Sequence, residues 1–192
     1  ALYLTGAGVG RLGLIDGDVV SESNLQRQVL YTEEEIGRPK AECARRRLQA
    51  LSSTIEIDVY PYFLTRDNAL SIIQNYDIVV DGCDNFATRY LIDDCCRETG
   101  KPYVYGTIGE FRGQASVFNY RGGIGYRDLY PDEMELTASP SKPGGVLGVV
   151  PGIIGSIEAA ETIKIITDSG EPLRNRLFTI DVLTLKTEIL EF

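Results

Sequence analysis

The chain has 192 residues, of which 43% are hydrophobic and 24% charged, and this length and apolar content suit one globular domain with a sizeable core. Its 28 acidic and 19 basic residues give a formal net charge of -9, the wrong sign for a surface that binds nucleic-acid phosphates or anionic lipid. The sequence contains no histidine, which excludes histidine bases, the triads that depend on them and histidine metal ligands.

The cysteines and the apolar runs indicate a compartment. The four cysteines form no CxxC pair, so the pattern favours neither a secreted disulfide framework nor a zinc site, and it predicts a cytoplasmic protein. No stretch approaches 18 apolar residues, so neither a membrane segment nor export is predicted. We expect the cysteines to pack as small hydrophobic side chains and assign none a catalytic role. They are Cys43, Cys83, Cys95 and Cys96.

The first half of the chain alternates helices and strands. Leu2 to Leu4, followed by Gly6, predicts the last turn of a helix without its beginning, so we expect an N-terminally incomplete domain over residues 1–192. The elements predicted next are a strand over 12–15, a capped turn at Thr32–Glu35, a helix from Pro39 through Leu51, a strand over 55–60, a helix over 66–74, a strand over 77–81, and a helix over 86–98 closed by Gly100.

The second half of the chain breaks this alternation. The predicted elements are strands over 103–107 and 113–118, a loop over 122–148, a helix over 152–166, and strands over 176–182 and 185–190. This order predicts an α/β fold with one mixed sheet, parallel in its early strands and antiparallel in its late strands, and with helices on both faces.

A glycine motif near the start matches a dinucleotide-binding fingerprint only in its letters. The segment from Gly8 to Gly13 reads G-x-G-x-x-G, but it precedes a strand instead of opening a helix, and Asp16 follows Gly8 by only eight residues. A helix-to-strand turn is the better interpretation, and a nicotinamide dehydrogenase is not predicted. Asp16 itself fits either a ribose-binding acid at a strand end or a surface Asp-Gly-Asp turn, and its spacing leaves both open.

Two further polar groups are candidates for phosphate chemistry. Asn24-Leu25-Gln26-Arg27-Gln28 is followed by Lys40 at a helix start, a set that suits a polyphosphate clamp but that alone also fits a solvated loop. Asp84 and Asn85 follow a strand end, where an acid can carry Mg²⁺ to phosphates, although alone the pair is also a helix cap.

Taken together, these segments resemble the ThiF/MoeB/HesA adenylyltransferases, which are relatives of the ubiquitin-activating enzymes and have a Rossmann-like fold. The resemblance covers nearly the whole chain. The long Asn-Leu-Gln-Arg-Gln motif, at its distance from Pro-Lys and Asp-Asn, is much more specific than the glycine match. The matching segments are residues 6–10, 14–19, 23–28, 37–40, 81–85 with Thr88 and Arg89, and Gly144 to Gly148 leading to Gly155 and Ser156.

The resemblance implies activation of the C-terminal carboxylate of a small ubiquitin-like sulfur-carrier protein. The carboxylate attacks the α-phosphate of ATP, giving an acyl-adenylate and pyrophosphate, with Mg²⁺ as cofactor. A nucleophile already ionised at pH 7 needs no general base, so the lack of histidine is no obstacle. By this resemblance, Asp16 would bind the ribose hydroxyls and Asp84 would bind Mg²⁺. The phosphates would be contacted by Asn24, Arg27 and Lys40, with Gln28 beside them. Arg27, Lys40 and Asp84 would form the catalytic set.

The chain departs from the family pattern in three places. Family members begin with a strand and a glycine-rich phosphate loop, whereas this sequence begins at the helix that follows them, so we expect that the domain is N-terminally incomplete. Many members have a CxxC pair where this chain has Gly125 and Asp128, and a second pair at the C-terminus, so no zinc is expected. Ser141 stands where some members carry a cysteine for sulfur chemistry, and a serine cannot form a persulfide.

Three interpretations remain within the resemblance. The loop from Tyr126 to Pro131 favours the thiamine branch with a ThiS-like carrier, and the molybdopterin branch with a MoaD-like carrier is the alternative. A non-catalytic partner subunit is the third, although it would have no need of the full polar set.

The family also implies a homodimer. The predicted helix over 152–166 carries a band of isoleucines too wide for one core-facing stripe, which favours coverage by a second chain. The alternative is that the late strands and the preceding loop bury this band within one chain.

Overall fold

The computed structural model describes residues 1–138 and 145–192, which form two compact units, residues 1–64 and 65–192. Gly144 and Ser141 lie outside the described residues. Among the helices that are described, none is both long and apolar enough to cross a membrane.

The first unit is built on a parallel pair of strands. Strand β1 pairs with strand β2, so that Leu14 lies opposite Val59. Because parallel neighbours need a long connection, helix α3 lies between them in the chain, and its buried Ala44 and Leu48 lie on the side that packs against the strands. The elements are α1 (Leu2–Gly6), β1 (Arg11–Ile15), α2 (Glu22–Leu25), a 3₁₀ turn (Glu33–Glu35), α3 (Lys40–Leu51) and β2 (Glu56–Tyr60).

The second unit is built on a five-stranded mixed sheet of order β3-β4-β5-β6-β7. Strands β3 and β4 are parallel, and every later pair is antiparallel. The elements are α4 (Ala69–Ile73), β3 (Val79–Val80), α5 (Phe86–Thr99), β4 (Tyr103–Ile108), β5 (Arg112–Phe118), α6 (Tyr126–Leu129), α7 (Glu133–Ala138), α8 (Val149–Thr167), β6 (Arg176–Asp181) and β7 (Lys186–Glu191).

The mixed α/β class with parallel early strands and antiparallel late strands is confirmed, but the single sheet is wrong. In the described residues, hydrogen bonds join β1 only to β2, and the other five strands form a separate sheet. The reason is that alternation of apolar residues predicts where strands lie, whereas it does not say which strands pair.

Helices cover both faces of the five-stranded sheet. Successive side chains of β4 point to opposite faces, so Tyr103 and Tyr105 contact the ring of Tyr126 in α6, while Val104 joins a core cluster that Ile157 of α8 packs against. The prediction of helices on both faces is therefore confirmed for this sheet.

The predicted loop over 122–148 is wrong in its first half, where α6 and α7 form. The buried Asp93 of α5 holds the start of α6, because its carboxylate accepts hydrogen bonds from the backbone N–H groups of Tyr126 (2.8 Å) and Arg127 (3.1 Å). Four residues of α6 show no helical repeat, and an anchor 33 residues away leaves no local signal.

Glu158 of α8 is a buried acid in the core of the second unit, with 7% of its surface exposed. It packs against Gly106 of β4, where a Cβ would lie 2.5 Å from its carboxyl carbon. Burial above all, and then the Asp81 carboxylate, raise the pKa of Glu158 well above its ordinary value, while Arg89 opposes the change. Burial in the core therefore favours the protonated, neutral form of Glu158.

We predict that Glu158→Gln stabilises the protein increasingly as the pH rises. The raised pKa means that the folded state keeps a proton that the unfolded chain releases. This contribution to the free energy of unfolding is complete below the ordinary value of 4.5 and is lost as the pH rises through the raised pKa of the folded protein. Urea denaturation at several pH values from about 4 to 8 measures the difference between variant and wild type, bracketing that ordinary value.

Glu98→Gln is the matched control, since Glu98 is exposed on α5. Its free energy of unfolding should stay within about 0.5 kcal/mol of the wild type at every pH. A difference for Glu158→Gln that does not change with pH would contradict the neutral buried acid.

Candidate active site

Asp16 lies in a tight turn at the end of β1. Its carboxylate Oδ1 accepts a hydrogen bond from the Asp18 backbone N–H at 2.8 Å, and its own N–H donates to the Tyr60 carbonyl at 3.2 Å. Gly17 is required between the two acids, because a Cβ there would lie 2.8 Å from the backbone nitrogen of Phe63. The turn thus holds Asp16 half-buried at a strand end, the place where the sequence analysis put a ribose-binding acid.

Lys40, the first residue of α3, is buried rather than solvated, with 7% of its side chain exposed. Its Nζ lies 3.2 Å from Asp18 Oδ2, and its backbone N–H donates to the Asp18 carbonyl at 2.9 Å. The structure therefore brings Asp16 and Lys40 together through Asp18. Sequence reasoning did not place Asp18 in the site, although the Asp-Gly-Asp spacing was a signal for it.

Asn24, Arg27 and Gln28 lie on one turn that begins in α2. The Asn24 carbonyl accepts hydrogen bonds from the N–H groups of Arg27 (3.0 Å) and Gln28 (2.9 Å). The Arg27 guanidinium donates to the Ser23 carbonyl at 3.1 Å and has no carboxylate partner in the described part of the chain. The segment is therefore a short helix and a turn rather than a loop, and within the described ranges no acid neutralises its cation.

The Gln28 side chain adds an unsatisfied polar atom to this turn. Its Oε1 is buried and has no hydrogen-bond partner among residues 1–138 and 145–192. Because a buried acceptor without a partner is unfavourable, such an atom commonly marks a place where a bound group supplies a donor. A ribose hydroxyl or a bound water could donate a hydrogen bond to this oxygen.

Asp84 lies in the second unit, between β3 and α5. Asn85 caps α5, since its Oδ1 accepts from the Thr88 N–H at 2.9 Å, and the predicted cap is confirmed. The Asp84 carboxylate is exposed, with a long 3.5 Å contact from Asn85 Nδ2. The structure thus places the six candidate residues in two groups, with the first five in the first unit and Asp84 in the second.

The described residues hold no group of three or more acids or cysteines arranged to bind a metal ion. Asp84 is thus not part of a cage made only of protein ligands. A single exposed carboxylate suits Mg²⁺, which keeps several waters and is commonly held by one or two carboxylates together with substrate phosphates.

The thiol beside this acid is unreactive. Burial, followed by the Asp81 carboxylate, raises the pKa of Cys83, so the thiol stays protonated. Burial likewise raises the pKa values of Cys95 and Cys96, and Cys43 is buried within α3. These environments fit the packing role expected for the cysteines.

The two positions where many family members carry a CxxC pair have structural roles here. Asp128 Oδ2 accepts from the Gly125 N–H at 2.8 Å and from Arg97 at 2.9 Å. A Cβ at Gly125 would lie 2.4 Å from the Arg97 guanidinium. The start of α6 is therefore held by hydrogen bonds at the positions that metal ligands would take.

Known proteins with similar sequences are adenylyltransferases by name. The sulfur carrier protein adenylyltransferase of Thermus thermophilus is 47% identical over 187 residues, which are 94% of this chain and 69% of that protein. The adenylyltransferase and sulfurtransferase MOCS3 of Arabidopsis thaliana is 44% identical over 99% of this chain and 41% of its own length. A probable molybdopterin-synthase adenylyltransferase of Porphyra purpurea is 40% identical over 97% of this chain and 50% of its own. The chain thus spans half or less of the length of the Arabidopsis and Porphyra proteins.

Solved structures share the fold. E. coli MccB with ATP superposes with a TM-score of 0.82 at 24% identity, covering 99% of this chain and 58% of MccB. PaaA gives a TM-score of 0.81 at 19% identity, covering 99% of this chain and 67% of PaaA. These similarities extend over both units. At these identities they show a common fold.

The family that the motifs suggested is thus matched along the chain's entire length. Residues 1–192 match the ThiF family, and the similarity to the Thermus protein is far above chance resemblance. The chain belongs to the ThiF family.

Proposed function

We propose that this chain activates the C-terminal carboxylate of a ubiquitin-like sulfur-carrier protein by adenylylation with ATP. The observation that carries the proposal is the state of three side chains of the first unit that stand at the positions of the resemblance's motifs. Within the described residues, the Arg27 guanidinium has no carboxylate partner and the Gln28 Oε1 has no hydrogen-bond partner, and the Lys40 ammonium is buried. The name of the Thermus relative, a sulfur carrier protein adenylyltransferase, supports the same reaction.

Each residue has a distinct task in this reaction. Asp16 accepts hydrogen bonds from the ribose hydroxyls, as a half-buried acid at a strand end can. Asn24 and Gln28 offer amide groups beside the phosphates, and Arg27 and Lys40 stabilise the negative charge that develops as the carrier carboxylate attacks the α-phosphate and pyrophosphate leaves. The attacking carboxylate is ionised at pH 7, so the step consists of positioning and charge stabilisation.

Asp84 is the residue that would hold Mg²⁺. An exposed carboxylate fits a cation whose other ligands are waters and phosphate oxygens. When bound, Mg²⁺ neutralises charge on the phosphates and orients the leaving pyrophosphate.

We predict that Arg27→Ala and Lys40→Met each lower carrier-dependent exchange of pyrophosphate into ATP by roughly 100-fold or more, the effect typical of a lost charge-stabilising group. Methionine is chosen at position 40 because Lys40 is buried, and truncation to alanine would leave a cavity.

Arg47→Ala is the control for the exchange assay, since Arg47 is exposed on α3. It should exchange at the wild-type rate. Wild-type exchange in either Arg27→Ala or Lys40→Met would overturn the assignment, provided that circular dichroism shows the variant folded.

The carrier separates the branches of the family. We infer the thiamine branch with a ThiS-like carrier from the loop over 126–131. The molybdopterin branch with a MoaD-like carrier is the second candidate, and the name of the Porphyra relative favours it. Exchange assays with each carrier distinguish the two, and no exchange with either would favour a non-catalytic subunit.

We predict that the purified protein contains no stoichiometric zinc. A closed structural zinc site needs four ligands. Here Gly125 and Asp128 instead form the hydrogen bonds that hold the start of α6. Elemental analysis after gel filtration measures the metal content. One zinc per chain, together with destabilisation by a chelator, would show the prediction to be wrong.

We predict a homodimer that uses apolar surface at the ends of α8. Part of the isoleucine band is covered within the chain, because Ile154 is 2% exposed and Ile157 packs against the core of the sheet. Val149 and Ile166 remain 56% and 54% exposed. Light scattering at micromolar concentration measures the mass, and the mass of one chain, unchanged by ATP and a carrier protein, would refute the dimer.

A further inference from the structure

A buried ion pair lies directly beneath the segment that carries Asp84. Arg89 of α5 is 5% exposed, and Asp81, at the end of β3, is 6% exposed. The Arg89 Nε donates to Asp81 Oδ2 at 3.1 Å, and the Tyr103 hydroxyl donates to the same oxygen at 2.9 Å. Because a buried charge is tolerated only when it is paired and hydrogen-bonded, this arrangement has little freedom to change.

The same ion pair holds both backbone polar groups of Cys83, the residue before Asp84. The Cys83 N–H donates to Asp81 Oδ1 at 2.8 Å, and the Cys83 carbonyl accepts from the Arg89 guanidinium at 2.9 Å. On the other side, Asn85 is fixed as the cap of α5. Asp84 is therefore held between two anchored neighbours although its own carboxylate is exposed.

We propose that Arg89 is a positioning residue that acts on Asp84 through the Cys83 carbonyl. The proposal rests on the metal role proposed for Asp84. An exposed carboxylate on an unrestrained segment would lose conformational entropy each time it bound a cation and phosphates, whereas one on a fixed backbone has already lost most of it. Substitution of a residue that orients a metal ligand commonly lowers metal affinity by about 10–100-fold.

Arg89→Lys is the test variant, because lysine keeps the charge that Asp81 needs but lacks the planar fork that reaches the Cys83 carbonyl as well. The matched control is Arg97→Lys, the same substitution near the other end of α5, where Arg97 pairs with Asp128 at 2.9 Å. A double variant, Asp81→Asn with Arg89→Met, removes both buried charges together. It is the second test variant, to be used if Arg89→Lys does not fold.

The first measurement is amide hydrogen exchange, which needs no assumption about the reaction. In Arg89→Lys, the Cys83 and Thr88 amides should exchange roughly tenfold faster, the effect of losing a hydrogen bond to a charged group, while the β4 amides keep their protection. The same pattern is expected in the double variant and not in Arg97→Lys. If the β4 amides exchanged faster by the same factor, or if the exchange rates of the Cys83 and Thr88 amides did not change, the proposal would be overturned.

The second measurement is the Mg²⁺ concentration that gives half-maximal pyrophosphate exchange in the full-length protein with its carrier. It should rise about tenfold in Arg89→Lys, with the rate recovered at excess Mg²⁺, and stay unchanged in Arg97→Lys. A lower maximal rate with an unchanged Mg²⁺ requirement would contradict positioning of Asp84. If the wild type shows no exchange at all, the proposed function fails, while hydrogen exchange still decides whether Arg89 fixes the segment.

Discussion

The buried ion pair between Asp81 and Arg89 is the interaction on which the second unit depends. It joins the end of β3, the first turn of α5 and, through the Tyr103 hydroxyl, the adjacent β4. Burial by itself lowers the pKa of Arg89, but Asp81, together with Cys83, Tyr105 and Tyr103, offsets this and raises the pKa, so the guanidinium stays charged. Removing either partner would leave a charge in the protein interior, which typically costs about 3–5 kcal/mol.

The two candidate cations, Arg27 and Lys40, differ in what already binds them. Lys40 already has a carboxylate partner in Asp18, whereas Arg27 contacts a backbone carbonyl and has no acid in the described residues. A phosphate that approaches Lys40 competes with Asp18 or shares the ammonium with it, so the gain in charge stabilisation is smaller. In the described part of the chain no carboxylate competes for Arg27, whose planar guanidinium donates only to a backbone carbonyl. For the proposed reaction, Arg27 is thus the stronger single contributor.

Sequence reasoning predicted the elements with strong local signals. The predicted end of α5 is confirmed at Gly100, whose left-handed backbone closes the helix, and its start is confirmed at Asn85. The misses depend on distant partners or on very short elements: α6 is held by Asp93, far away in the chain, and α2 has only four residues. Strand pairing was missed for the same reason, since register across a sheet is a property of the fold and not of a local window.

The same distinction between local and distant signals applies to the candidate site residues. The sequence placed Asp16 at a strand end and Lys40 at a helix start, which is where the structure has them. It did not reveal that Lys40 is buried or that Asp18 pairs with it, because burial of a lysine depends on what surrounds it in three dimensions. The role of Arg89 was hidden likewise, since its partners Asp81 and Cys83 come from a different element.

Protonation near Asp84 is fixed by the fold rather than by the solvent. Burial raises the pKa values of Cys83 and Tyr103, so both groups stay neutral, and the buried guanidinium of Arg89 is bound to Asp81. None of them is poised to exchange a proton near neutral pH, the property that a general acid or base requires. This suits a reaction whose nucleophile is already an ionised carboxylate and whose leaving group is pyrophosphate. A chain without histidine loses nothing in such chemistry, because rate depends on where charges are held and not on where protons move.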